Sequence, residues 1–528
     1  MTMRSHQVSH TANESHGTPA PRRHVGSAWV GTAIVIGLLA TAVRLPGCFS
    51  ELWLDEVWTL YLTIRLDSPV EILTKFDAGI TSNAGPLTEL MYFLIGDRDE
   101  SFVYRIVPLV CGVGVVMLAM QIAGRVGRLE AIVAGILTGG SYPLIHFSSE
   151  ARAYSILLVL SLATFLIAQH LLERPRWWKL VLLWLCICMG VAAHLTYLHV
   201  LAGLGLWTLV CLSRTADRVR SVAWGLAQFY AVPTAFLVWF HWIFIRHVII
   251  GGAPGYVLMD VIVKTLSFAA GGPASGPFAT TVAIIMLVAT IWAIAASAGQ
   301  PQKRWIFYVI TIVMSPLFVL IITQPPVLYL RYFMISITFG LIVIACWLVT
   351  LARRGQGAYA CVIVVILLFL AGNGVQVSKL VRYGRGGYRQ AVHYMADRTP
   401  GPTVVVTSDH GFRKGMLLWY YQRFLPAGKA LLYVRHPDAP ANAGPLEDKD
   451  KLFAPADVSQ VPEWMIASSE PNPAADEEPF IITFQPLGVE AHYYRVNTWP
   501  SADLSGANWL LYRRQNMTLL TDPPRGER

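Results

Sequence analysis

Apolar segments long enough to cross a bilayer recur through the first three quarters of this chain, and that recurrence limits the fold more than any other feature. Inside lipid every backbone N–H and C=O must be satisfied within its own segment, so such a run becomes a helix. About eleven runs meet the criterion of roughly 17–25 apolar residues. They fall near 28–45, 103–123, 129–147, 153–172, 177–194, 197–212, 223–245, 278–298, 305–323, 331–351 and 358–378. Only 14% of the 528 residues are charged, against about 25% in soluble domains. The formal net charge is +9, but the Lys and Arg residues are scattered over short connections between apolar runs. That pattern excludes a basic stripe for nucleic acid.

The connections alternate in character. One set is short and basic: Arg125/Arg128, Arg174/Arg176/Lys179, Arg214/Arg218/Arg220, Lys303/Arg304 and Arg353/Arg354. With Arg22-Arg23 in the polar segment 1–27, this set is expected to face the cytoplasm, and 1–27 to be a disordered cytoplasmic tail. The other set, 46–102, 148–152, 195–196, 246–277 and 324–330, is long or poor in Lys and Arg and is expected outside. The first run also carries Ala40-Thr41-Ala42, a loose cleavage pattern. An uncleaved span is the reading that keeps the following acidic loop at the membrane. An odd number of spans places 380–528 outside as well. There Gly387 to Asp397 and Phe412 to Phe424 read as helices. Thr403 to Thr407, Ala430 to Val434, Phe480 to Phe484 and Trp509 to Tyr512 read as strands, and the Pro-, Ala- and Asp-rich 437–476 as a loop. The expected architecture is therefore mainly α: a polytopic inner-membrane protein with a module at 28–379, an outer loop at 46–102 and a small extracytoplasmic α/β domain at 380–528. Within the loop, Ser68-Pro69-Val70-Glu71 reads as a helix start, with Leu73, Phe76 and Ile80 at helical spacing. A helix over 69–81 follows, lying on the membrane surface or within an ordinary loop.

The seven cysteines lie in or beside apolar runs and form no metal-ligand pattern or disulfide framework. Ionisable residues are nearly absent from mid-span positions. At the expected outer ends they gather: Asp55 and Glu56 between Trp53 and Trp58, His146, Glu150 and Arg152, His194 and His199, and Tyr329, Arg331 and Tyr332. Charges at a membrane lip are costly unless they meet water, a metal or a counter-ion. Taken singly, the histidines read as span-end anchors and Glu150–Arg152 as a local ion pair holding a turn. Arg331 opens a span on the side where Lys and Arg are disfavoured, which favours a functional role. A transporter would place such groups near the midplane on broken helices within repeated halves, and no repeat is visible here.

The order of these pieces resembles the GT-C membrane glycosyltransferases, in the bacterial branch related to dolichyl-phosphate-mannose–protein mannosyltransferases (the glycosyltransferase 39 and 83 type). Leu52-Trp53-Leu54-Asp55-Glu56 is similar to that family's acidic signature after the first span. Gly85-Pro86-Leu87, Tyr104-Arg105-Ile106-Val107-Pro108, Ser149-Glu150-Ala151-Arg152-Ala153-Tyr154, His194-Leu195-Thr196-Tyr197 and Arg331-Tyr332 are similar to further motifs in the same order. The likeness spans about 28–425. Gly85 departs from the family's usual proline, which bears on loop shape. The resemblance implies transfer of a monosaccharide from a polyprenyl-phosphate donor to an extracytoplasmic glycan, lipid or protein, with inversion. Asp55 is then the expected base, supported by Glu56, or the two together hold a divalent metal such as Mg or Mn. Arg331, and Lys264 in the 246–277 loop, are expected on the donor phosphate. Glu150, Arg152, Tyr154, His194 and Tyr332 are expected to support them. Two other classes remain open: a transporter or flippase of lipid-linked saccharides, and a non-enzymatic membrane scaffold.

Overall fold

The computed structural model describes residues 27–515 apart from 76–84, 216–218, 249–255, 301, 326, 410, 435–460, 470–479, 485–488, 503 and 507. The expected tail 1–27 lies outside them but for Ser27, as does Arg218 of the expected cytoplasmic connections. The helices in chain order are α1 Ser27–Cys48, α2 Leu54–Thr63, α3 Glu71–Thr74, α4 Pro86–Ile95, α5 Ser101–Gly124, α6 Arg128–Gly140, α7 Tyr142–Ser148, α8 Tyr154–Glu173, α9 Trp177–Ala193 and α10 Leu198–Thr215. They continue as α11 Val219–Ile243, α12 Leu258–Ala269, α13 Pro277–Ser297, α14 Arg304–Tyr308, α15 Ser315–Thr323, α16 Met334–Ala352, α17 Gln356–Tyr383, α18 Tyr388–Arg398 and α19 Gly411–Tyr421.

Each of the eleven expected spans is helical. Among the described residues, nine helices are long and apolar enough to cross a membrane, and α6 with α7 makes a tenth as a pair bent by 61°. The eleventh, α9, has 17 residues and is shorter than the rest. α14 runs through a π-helical stretch, Val309–Met314, into α15. The bend between α6 and α7 has a local cause. Gly139-Gly140 ends the first helix and Pro143 opens the second, which breaks the i to i−4 ladder. The carbonyls left over are met by the buried Arg44, whose Nη1 donates to Gly139 O at 3.1 Å and Nη2 to Thr138 O at 3.2 Å. The Tyr142 N–H donates to Asn373 Oδ1 at 2.6 Å.

The first loop departs from expectation. The helix expected over 69–81 is described only as the single turn α3, with Lys75 extended at its end; the remainder falls in 76–84, outside the described residues. The loop is built instead on α2 and α4. Gly85 caps α4 and Pro86 opens it. A Cβ on Gly85 would collide with the carbonyl oxygen of Ala193 and come within 2.7 Å of that of Ala192. The close approach of α4 to the end of α9 therefore leaves room for glycine alone.

The C-terminal region forms a six-stranded sheet in the order β2-β1-β3-β6-β5-β4, with β1 Thr403–Ser408, β2 Ala430–Tyr433, β3 Trp464–Ser469, β4 Phe480–Phe484, β5 Val489–Trp499 and β6 Asn508–Arg514. β1 pairs in parallel with β2 and β3, and the other pairings are antiparallel. Within the expected loop 437–476, β3 is a correction: it lies between β1 and β6. Leu52, Trp53, Val57, Leu60, Tyr61, Met91 and Tyr92 of the first loop share one apolar core with Tyr388, Val392, Met416, Tyr421, Trp464 and Trp509 of the C-terminal region. Tyr421 seals the junction by donating its hydroxyl to Leu52 O at 2.7 Å.

Candidate active site

Four chain segments meet at one end of the helix bundle: the first turn of α2, the connection Ser149–Ala153, the turn at His194, and the one-turn 3₁₀ helix Leu330–Phe333 that precedes α16. Acidic residues in a first helical turn are favoured by the helix dipole, and both Asp55 and Glu56 lie there. Glu56 reaches back to the Trp53 N–H through Oε2 at 3.1 Å, a cap that fixes where α2 begins.

The two carboxylates then diverge. Asp55 Oδ2 lies 3.1 Å from Arg331 Nη1 and 3.5 Å from Arg152 Nη2. Asp55 is 8% exposed and Arg331 9%. Arg331 lies among rings: its Cζ is 4.3 Å from the Tyr329 centroid, 5.7 Å from Trp53 and 6.0 Å from Tyr332. Its Nε is buried and has no hydrogen-bond partner among the described residues. A buried guanidinium N–H left unpaired is costly unless a further acceptor comes to it. Glu56, fully buried, accepts Arg105 Nε at 2.9 Å and Nη2 at 2.5 Å, Trp53 N, and Ala151 N at 2.6 Å. Both oxygens are doubly occupied, and Asp55 is already flanked by two cations. This donor set does not fit the divalent metal expected between Asp55 and Glu56. Among the described residues, no group of three or more His, Cys, Asp or Glu could hold a metal ion.

Glu150 and Arg152, two apart in sequence, do not pair with each other. Arg152 turns to Asp55. Glu150 turns inward, where Oε1 meets His146 Nε2 at 3.0 Å, Arg385 Nε at 3.4 Å and the Ser505 hydroxyl. Burial pushes the Glu150 carboxyl up, but the His146 hydrogen bond and the charge of Arg385 prevail and hold it down at about 2. Arg385 continues to Gly47 O at 2.9 Å, Ser50 Oγ at 2.6 Å and His146 O at 3.0 Å. His194 presents its ring to Tyr154 and Tyr332, with centroids 5.4 and 6.0 Å away. Its Nδ1 accepts the Thr196 N–H at 3.2 Å, so Nε2 carries the ring hydrogen. Burial, then Arg152 and Arg331, pushes its pKa down to about 3, and the imidazole is neutral.

No family model and no curated protein matches the sequence. Solved structures do. ArnT from Cupriavidus metallidurans, crystallised with undecaprenyl phosphate, superposes with a TM-score of 0.53 at 12% identity, covering 94% of this chain and 100% of its own. The same protein in its apo state gives 0.55 at 12% identity, covering 92% and 98%. The chain has the GT-C fold. The oligosaccharyltransferase of Archaeoglobus fulgidus, solved with Zn and sulfate, is a more distant match at 0.46 and 11% identity, covering 83% of this chain and 68% of its own.

In this GT-C fold the residues singled out from sequence are not equally placed. Asp55, Arg331, Arg152, Tyr154, Tyr332 and His194 converge on one spot. Lys264 lies half-buried on α12 with Nζ 5.8 Å from the Phe268 ring; its helix packs against the turn that carries Arg331. Glu56 and Glu150 stand behind the site, each held by a fully buried arginine. Of those arginines, the sequence marks Arg105 only as part of a motif and Arg385 not at all. His146, read as a span-end anchor, is a buried partner of Glu150. His199 has a structural place, with Nδ1 2.8 Å from Ser315 Oγ.

Proposed function

We propose that this chain is a membrane glycosyltransferase that moves a monosaccharide from a polyprenyl-phosphate donor to a hydroxyl acceptor outside the cytoplasm. One observation carries the reading: a nearly buried carboxylate held between two guanidinium groups at one end of a bundle with the fold of ArnT, a protein crystallised with undecaprenyl phosphate. Asp55 takes the proton of the acceptor hydroxyl. The acceptor oxygen forms a bond to the anomeric carbon while the bond from that carbon to the phosphate oxygen breaks, and the polyprenyl phosphate leaves with the electron pair. Direct displacement of this kind inverts the anomeric centre.

Arg331 receives the leaving phosphate, using its planar fork and its unpartnered Nε, with Arg152 as the second cation. Lys264 is a further phosphate contact for a donor whose head extends toward α12. Tyr154, Tyr332 and the neutral His194 wall the space and exclude water. Glu56 and Glu150 hold the backbone that carries these groups. Turnover of a radiolabelled polyprenyl-phosphate sugar by membranes containing the wild type or Asp55→Asn tests the reading. Loss of the base should lower transfer by about 10²–10⁴-fold, with donor binding retained. A folded Asp55→Asn protein that transfers sugar at the wild-type rate removes the proposed base.

A further inference from the structure

At the end of the bundle opposite Asp55, α5, α13 and α16 finish and α14 begins. Between them lies a small cleft. Its walls include Ile122, Ala293 and Ile342, and Gln300 and Thr350 lie toward the helix ends. Arg304 lines it and is 6% exposed. Among the described residues its hydrogen-bond partner is a neutral group: the Gln169 amide, turned so that its oxygen faces the guanidinium, brings that oxygen 3.1 Å from Arg304 Nε. The acids close by are otherwise engaged. Glu173 takes Arg125 Nη1 at 2.9 Å, and Glu130 lies 2.7 Å from Arg353 Nη2. Among the described residues no carboxylate comes within 4.0 Å of the Arg304 guanidinium.

Glu173 acts on Arg304 from beyond 4.0 Å and is shared with Arg125. A buried cation short of direct counter-charge is destabilising, and here it opens onto a cleft. We propose that this cleft binds the phosphodiester headgroup of an anionic phospholipid, with Arg304 as the central contact. Three features select a lipid as the source of the phosphate. The cleft is walled by apolar helix faces. Beside it α13 presents Val288, Ile291 and Trp292 outward, as a lipid-facing helix does. Basic residues also crowd this end of the bundle: Arg125, Arg128, Lys303, Arg353 and Arg354, as expected where anionic headgroups gather. The site is distinct from the proposed transfer centre, so it stands or falls independently of that centre.

Native mass spectrometry of the full chain in detergent, with added phosphatidylglycerol, phosphatidylcholine or sn-glycerol 3-phosphate, tests the proposal. The wild type should retain phosphatidylglycerol about fivefold better than Arg304→Gln, the effect of one basic residue near a membrane surface, with no difference for phosphatidylcholine. Ala296→Trp fills the cleft while leaving Arg304 in place, and should lose the same lipid at an unchanged melting temperature. Equal phosphatidylglycerol retention by the wild type and both variants overturns the site. Complete displacement of phosphatidylglycerol by equimolar sn-glycerol 3-phosphate overturns the lipid assignment in favour of a soluble phosphate ester.

Discussion

Asp55 and Glu56 are neighbours in sequence with opposite surroundings, and the difference predicts opposite losses. Among the described residues, Glu56 is the sole carboxylate paired with the buried Arg105, which otherwise meets backbone carbonyls and one hydroxyl. Glu56→Gln strands that guanidinium, and breaking one side of a buried pair costs about 3–5 kcal/mol. The variant should melt well below the wild type in detergent. If it melts like the wild type and loses only transfer, Glu56 belongs to the chemistry instead. Arg331→Lys is the complementary case. It keeps a charge but loses the fork and the Nε donor, so kcat/KM should drop about 10²-fold while the melting temperature holds; near-normal kinetics would make Arg331 a structural residue. The converging charges were legible because ionisable residues at span ends are few and each demands a reason. Their pairing was not. Spacing suggested Glu150 with Arg152, but the arginine that Glu150 meets is Arg385, 235 positions away, and nothing local in Gly384-Arg385-Gly386 announces it.

Among the elements, the membrane helices were read with small errors because an apolar run in lipid has one solution. The loop helices and strands were harder. β3, Trp464-Met465-Ile466-Ala467-Ser468-Ser469, lacks the alternation of a half-buried strand, since it is an inner strand of the sheet. The junction between the first loop and α18 carries a pH-dependent element. Glu51 Oε2 accepts the Arg389 N–H at 3.0 Å, yet burial pushes its carboxyl up to about 7 from 4.5, against the lowering effect of that bond. With the folded pKa above the unfolded one, the folded state binds the proton more tightly. This contribution to stability is full below pH 4.5 and is lost as pH rises through about 7. Glu51→Gln mimics the protonated form. Its melting temperature relative to the wild type should therefore climb between pH 5 and pH 8. A gap that stays constant across that range would rule out Glu51 as the titrating group.

At the scale of the whole molecule, the bundle has two chemically distinct ends. The Asp55 end carries paired acids and arginines, and the sheet region closes over it through the apolar core shared with α2 and α4. The opposite end holds Arg125, Arg174, Arg176, Lys179, Lys303, Arg353 and Arg354, the composition that favours the cytoplasm. Together these predict that Asp55, the sheet region and the acceptor share the extracytoplasmic side. The prediction also follows from the chemistry proposed above. A lipid-linked donor is needed where no soluble nucleotide sugar is at hand, and Arg331, at the start of a span, is the residue proposed to meet its phosphate. A reporter that is active only outside the cytoplasm, fused after Arg528, should be active, and a cytoplasm-dependent reporter at the same position should be silent. The reverse result would turn the bundle over. It would put Asp55 on the cytoplasmic side and remove the reason for a lipid-linked donor. The Arg304 cleft would then lie in the outer leaflet.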